Sequence, residues 1–405
     1  MAFFLEIYVR YESYDEFTFK DVKIAYKSHI LDYRRDYIQQ FLWESYSPEN
    51  IFAKKIVLSD TTDQRILYQY GDYITENERK IAGFLNKMSQ EEVEAMADTY
   101  VDGYIRGFEV MGVKRKDQGV ALVSYPIGFE RMMAIAIQKF EKEGLQIVAK
   151  QSARGKRMVT AVNPQYEYDH RQDRALYFDK LYSNRDLEQY TVLFEENKQL
   201  LSKYIGPALV QTFGEPDFVP VNKKEALRLD KRQLKLDVES NRKYSQIISN
   251  YIKDEETSFT IIAYPMPSIG EQFEEIFAET VRCNTLSNET YGKIQQALID
   301  ELDTGYACQI VGTNGNETNL TVMLMETKEP AKETKFENCT ADVNIPVGEI
   351  FTSPKLTGTN GLLHVSKVFL KGYEYKNLKI WFENGKTTKL SCENFKKEEE
   401  NQAFL

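Results

Sequence analysis

The sequence predicts an α/β protein, with an N-terminal α/β region on a parallel sheet followed by an antiparallel β-rich region. Three observations predict it. A capping box at Ser89-Gln90-Glu91-Glu92 opens a run of apolar residues at helical spacing. A strand–helix–strand pattern then fills residues 120–149, and a helical crossover suits a parallel strand pair. From Gly305 onward the chain changes to short apolar runs separated by Gly and Asn, the pattern of antiparallel strands.

Residues 1–75 are rich in Tyr and charge and give a mixed strand and helix reading. Residues 2–9 read as a strand, because Glu6 interrupts their apolar run and no basic leader precedes it. The capped helix carries Val93, Met96, Ala97, Tyr100, Val101, Tyr104 and Phe108 and stops at Gly112. The strand at 120–125 runs into Pro126 and Gly128, then a helix with Met132, Met133, Ala136 and Phe140 that Gly144 ends before the strand at 145–149. A weak echo follows, with the strand at 259–263 leading through Tyr264-Pro265 into a helix bearing Phe273, Phe277 and Val281. Between the two, 176–204 reads as helical, and the charged run 228–235 reads as a solvated helix face or connector. The later strands fall at 308–311, 320–324, 362–365 and 378–382, and Asn384-Gly385 is a strong hairpin signal because both residues tolerate positive φ.

Composition bounds the function. At 405 residues with 42% hydrophobic and 13% aromatic content, the chain is long enough for at least two cores. Sixty-two acidic against 52 basic residues give a net charge of −10, which disfavours a nucleic-acid partner or an anionic membrane surface. No apolar run approaches a membrane span, so the expected compartment is the cytoplasm. Cys283, Cys308, Cys339 and Cys392 lie far apart with no C-x-x-C pair, and read as plain buried thiols. No Gly-x-Ser-x-Gly elbow supports a serine nucleophile, and the loop 312–316 lacks the helix and Gly-Lys-Ser/Thr ending of a phosphate loop. The basic turn Arg154-Gly155-Lys156-Arg157 reads as a solvated cluster.

The segment Asn344-Ile345-Pro346-Val347-Gly348-Glu349-Ile350-Phe351-Thr352-Ser353-Pro354 places one carboxylate in an apolar stretch bracketed by turns. Ile350 and Phe351 are expected to draw it toward a core, where an ionised carboxylate needs a compensating cation or hydrogen bonds. The segment resembles the Asn-(Leu/Met)-Pro-x-x-Glu-Val-Phe-Thr-x-Pro stretch of the thermophilic-metalloprotease family of aminopeptidases. Three other segments resemble that family in the same order: 259–268, Gly315-Asn316-Glu317-Thr318-Asn319-Leu320 with Asn in place of the family's Asp, and 378–386. Together they cover residues 256–395.

The resemblance implies a metal-dependent aminopeptidase that removes N-terminal residues from peptides, with two divalent ions (zinc, cobalt or manganese) and a homodimer as the assembly. It implies Glu349 as a metal ligand. The family's other ligands, a second Glu, two His and an Asp, follow the matched hairpin, whereas this chain ends at Leu405. The 405 residues are therefore expected to be part of a longer enzyme, inactive alone, with residues 1–75 an extension the family does not match, 76–300 an α/β domain and 301–405 the start of an incomplete β-rich metallopeptidase domain. The face around Phe404 and Leu405 is then expected to be uncovered. His29, His170 and His364 do not supply the missing ligands, since none has a second His at metal spacing, although His364 would approach Glu349 if their strands pair. The rival expectation is a non-catalytic α/β binding or scaffold protein that keeps the fold without a complete metal site.

Overall fold

The computed structural model describes residues 2–13, 16–152, 163–214, 218–329, 331–340, 344–370 and 373–405. The basic turn at 154–157 lies outside them. The helices are α1 (Ala2–Ser13), α2 (Phe19–Asp32), α3 (Arg34–Tyr46), α4 (Phe52–Val57), α5 (Glu76–Lys87), α6 (Gln90–Val110) and α7 (Glu130–Lys142). They continue with α8 (Pro164–His170), α9 (Lys180–Glu196), α10 (Lys198–Leu201), α11 (Lys231–Tyr251), α12 (Phe273–Asn284), α13 (Asn288–Leu302) and α14 (Glu398–Phe404). The strands are β1 (Val120–Tyr125), β2 (Gln146–Gln151), β3 (Tyr204–Phe213), β4 (Thr260–Pro265), β5 (Ala307–Val311) and β6 (Asn319–Met323). After them come β7 (Glu337–Cys339), β8 (Asn344–Ile345), β9 (Glu349–Phe351), β10 (Lys355–Leu370), β11 (Tyr373–Glu383) and β12 (Lys386–Ser391).

Two compact units are assembled from separated stretches: 1–74, 108–209 and 223–259 form the first, and 75–107, 210–222 and 260–405 the second. In the first, β1 pairs in parallel with β2 through α7, as the strand–helix–strand pattern predicts, and on its other side with β3. The strands are buried on both faces, so they read as nearly continuous apolar runs. Met132, Met133, Ala136, Ile137 and Phe140 bury the inner face of α7. Gly144, at φ +80°, ends it. Ile38 and Leu42 of α3 pack against Leu193 and Phe194 of α9 and Leu201 of α10, with Tyr190, Tyr251 and Ile252 around them.

Two expectations for this unit are corrected. Residues 2–9 are not a strand but the first turns of α1, where Glu6 pairs with Arg10 four residues on and Phe3 meets the rings of Tyr26 and His29. The described part of residues 1–75 is helical and turn structure, without strand. The helical stretch expected over 176–204 ends at Leu201, and Tyr204 opens β3. The charged run holds the start of α11, capped by Asp230 and Gln233; this helix buries none of its residues completely. It is solvated on one face only: Leu229 of the run packs with Phe178 and Tyr182, and Ile247, Ile248 and Tyr251 further along α11 pack against the core of α3 and α9.

In the second unit the end of β3 meets the end of β4 through Met266 N–H donating to Phe213 O at 2.9 Å, and β4 pairs in parallel with β8. α5 and α12 close over this edge, with Phe84 edge-on to Phe273 and Phe277, and Tyr264 stacked on Phe277. The capping box of α6 forms as expected: Ser89 N–H donates to Glu92 Oε2 at 2.8 Å and Glu92 N–H to Ser89 Oγ at 3.2 Å. The rest is an antiparallel sheet in the order β12-β11-β10-β6-β5 and a two-stranded ribbon of β7 and β9. Asn384 and Gly385, at φ 48° and 72°, make the β11–β12 turn, and residues 312–316 lie in the β5–β6 loop. Phe404 is not uncovered: it is 4% exposed and stacks on Tyr375 at 4.5 Å.

Candidate metal site

Gln295 is the residue around which the Glu349 strand is built. It lies on α13, 3% exposed, and α13 presents it to the β7–β9 ribbon. Its Nε2, with two protons to give, has three acceptors within hydrogen-bond distance, Asn338 Oδ1 (2.9 Å), Cys339 O (2.8 Å) and Glu349 O (2.8 Å), and its Oε1 accepts from Gly348 N–H at 3.0 Å. Asn338 in turn donates to Gly292 O at 2.9 Å. A buried side-chain amide with both ends engaged rigidifies what it touches, and here it fixes the backbone on both sides of Glu349. Sequence periodicity gave no sign of it, because a Gln on a helix is ordinarily a surface residue.

The side chain of Glu349 points away from that anchor. Strand residues alternate faces, and Ile350 takes the inward position against Ile299, Leu324 and Phe336, so Glu349 and Phe351 face out. Phe351 is 46% exposed. The expectation that Ile350 and Phe351 draw the carboxylate toward a core is therefore overturned: the strand is three residues long, and only its middle residue is even half-buried. Among the described residues the carboxylate accepts one long hydrogen bond, from Asn344 Nδ2 at 3.4 Å from Oε2. Its desolvation cost is small and its lone pairs remain accessible.

His364 is not placed to join it. β9 pairs with β7, whereas β10 pairs with β6 and β11. His364 is 6% exposed, and Glu317 N–H donates to its Nδ1 at 2.9 Å. A nitrogen that accepts from an amide carries no proton, so the proton sits on Nε2, 3.3 Å from Asn377 Oδ1. Both ring nitrogens are used within the sheet. His170 lies at the end of α8 with Nδ1 2.9 Å from Asp173 and its ring on Tyr166, and His29 sits on α2 between Phe3 and Tyr33. Among the described residues no group of three His, Cys, Asp or Glu side chains is placed to hold a metal ion. Glu349 is the carboxylate that the resemblance nominates, and the described residues bring no cluster of such donors around it. Of the four cysteines, Cys339 and Cys392 are buried as expected, but Cys308 is half-buried and Cys283 exposed.

One titratable group at the carboxyl end of β1 has no counterpart in the sequence reading. Glu130 opens α7 at 2% exposure; its carboxylate accepts from Gly128 N–H at 2.9 and 3.2 Å. Tyr70 and Tyr125 stand beside it, their hydroxyls 2.9 Å apart. Burial pushes its pKa up to about 7, against the hydrogen bonds from backbone N–H groups and Tyr70, which favour the charged form. The Pro126-x-Gly128-x-Glu130 turn after a strand was the available signal.

Residues 218–401 match the family described as thermophilic metalloprotease (M29). The match spans β4 through β12 and holds Glu349, and the resemblance read from the four segments stands for this part of the chain. A solved structure described as wild-type AmpT from Thermus thermophilus is similar at 15% sequence identity and a TM-score of 0.41, over 76% of this chain and 73% of that one. No curated protein gives a significant match.

Proposed function

We propose that this is a metal-dependent aminopeptidase sequence, acting on peptide N-termini, and that Glu349 is one ligand of its metal site. The family match over 218–401 carries the reading. Support for Glu349 within that span is its backbone, held by Gln295 on both sides, and a carboxylate that faces outward with a single weak polar contact. Two divalent ions drawn from zinc, cobalt and manganese, a homodimer and a cytoplasmic setting belong to the same proposal, on the family resemblance. No helix among the described residues is long and apolar enough to cross a membrane.

The rival reading is a non-catalytic scaffold of the same fold that holds no metal at Glu349. A catalytic zinc takes about three protein ligands, so the 405-residue chain is expected to bind zinc weakly and to release no amino acid from leucyl-p-nitroanilide. Zinc titration by calorimetry separates the readings. Glu349→Gln keeps the shape and removes the charge, and is expected to weaken zinc binding by about tenfold or more while the fold, read by circular dichroism, is unchanged. Equal zinc affinity in both proteins would remove Glu349 from the site and leave the scaffold reading. Chelator-sensitive release by the wild-type chain would place a complete site elsewhere.

A further inference from the structure

The second unit contains a cavity of about 480 Å³ between one face of α12 and the carboxyl ends of parallel strands. Its volume lies within the range of small-molecule sites. Ser258 N–H donates to Ile205 O and Met266 N–H to Phe213 O, an equal offset that makes β3 and β4 parallel, and β4 runs parallel to β8. Phe213 ends β3, Ile345 ends β8 with Pro346 next to it, and Ala263 lies within β4; these four form an apolar floor. In open α/β sheets the carboxyl ends of the strands are where ligands bind, because the loops diverge there.

The opposite wall is α12. Ile276 and Cys283 continue the cavity lining along the helix, and Glu275 and Glu279 also line it. Glu279 pairs with Arg282 at 2.9 Å, whereas Glu275 has no ion-pair partner among the described residues. Two exposed carboxylates over an apolar floor, one of them without an ion-pair partner among the described residues, favour a guest that carries positive charge.

We propose that this cavity binds an ammonium group carried on an apolar body, with the apolar part on Phe213, Ile345 and Pro346 and the ammonium at Glu275. The proposal does not rest on the aminopeptidase reading and needs no metal. Two sources present this chemistry, a free hydrophobic amine and the N-terminus of an apolar peptide. Cys283, exposed on the cavity wall, reports occupancy through its rate of maleimide alkylation. Cys308→Ser leaves it as the one cysteine that is not buried.

In that background, saturating phenethylammonium is expected to slow alkylation of Cys283 about tenfold, 3-phenylpropionate to leave it unchanged, and Glu275→Gln to abolish most of the protection. Glu275 is exposed, so the substitution leaves the fold intact. Protection by leucyl-leucine amide but not by its N-acetyl form assigns the site to a peptide N-terminus. Protection by phenethylammonium alone assigns it to a free amine. No protection by either compound, or equal protection by phenylpropionate, overturns the proposal.

Discussion

Burial raises the pKa of Glu130, which makes one carboxyl group a determinant of stability against pH. Its folded value is about 7 against an ordinary 4.5. Below the ordinary value the group is protonated in both states and costs nothing. Between the two values the folded state holds a proton that the unfolded state has released, so stability falls as pH rises, and the loss is complete above the folded value. At about 1.4 kcal/mol per unit, the loss is on the order of 3 kcal/mol by pH 8. Tyr70 and Tyr125, also pushed up by burial, stay neutral throughout that range. Glu130→Gln can still accept from Gly128 N–H, and is expected to flatten the decline measured by urea unfolding at pH 5.5 and pH 8. An identical decline in both proteins would show that Glu130 is not responsible. Sequence exposed the other notable carboxylate, Glu349, through its motif but misjudged its burial. It could not expose Glu130, because only the tertiary neighbours of that turn decide whether a Glu is solvated.

Element by element, legibility follows how local the determining signal is. β1, α7, β2 and the Asn384-Gly385 turn were readable because periodicity and turn chemistry within a few residues fix them. β3 was not, because Gly206 and Pro207 break the strand pattern in its first half. The fold uses them: the register against β1 shifts at this point, and Gly206, at φ +107°, lies against the backbone of Ser258. A Cβ there would stand 1.7 Å from Ser258 O. Gly206→Ala is therefore expected to cost about 3 kcal/mol or more, from positive φ and a backbone collision together. Gly144→Ala, with positive φ and open space, is expected to cost about 1 kcal/mol. Chemical denaturation of the two variants checks the difference, and similar costs would show that strand contact at Gly206 relaxes freely.

At the scale of the whole molecule the α/β character and the change to antiparallel strands were visible because helix and strand periods differ, whereas the interleaving of stretches depends on contacts between residues far apart in sequence, such as Ser268 N–H with Asn77 and Arg34 with Tyr190. One whole-molecule property needs no topology. A net charge of −10 repels itself in the compact state, and this repulsion also grows as pH rises. It adds to the effect of Glu130 but differs in kind. Exposed charges are screened over a Debye length of about 8 Å at physiological ionic strength, whereas the penalty on a buried carboxylate comes from removing it from water and responds little to salt. The exposed ion pairs, such as Lys293–Glu289 and Arg282–Glu279, contribute little that salt could take away. Raising NaCl from about 10 to about 150 mM at pH 8 is therefore expected to raise the unfolding temperature of both wild type and Glu130→Gln by the same increment, while the gap between the two proteins persists. A gap that closes with salt would mean that the Glu130 effect is surface repulsion, and its burial would then play no part in the pH response.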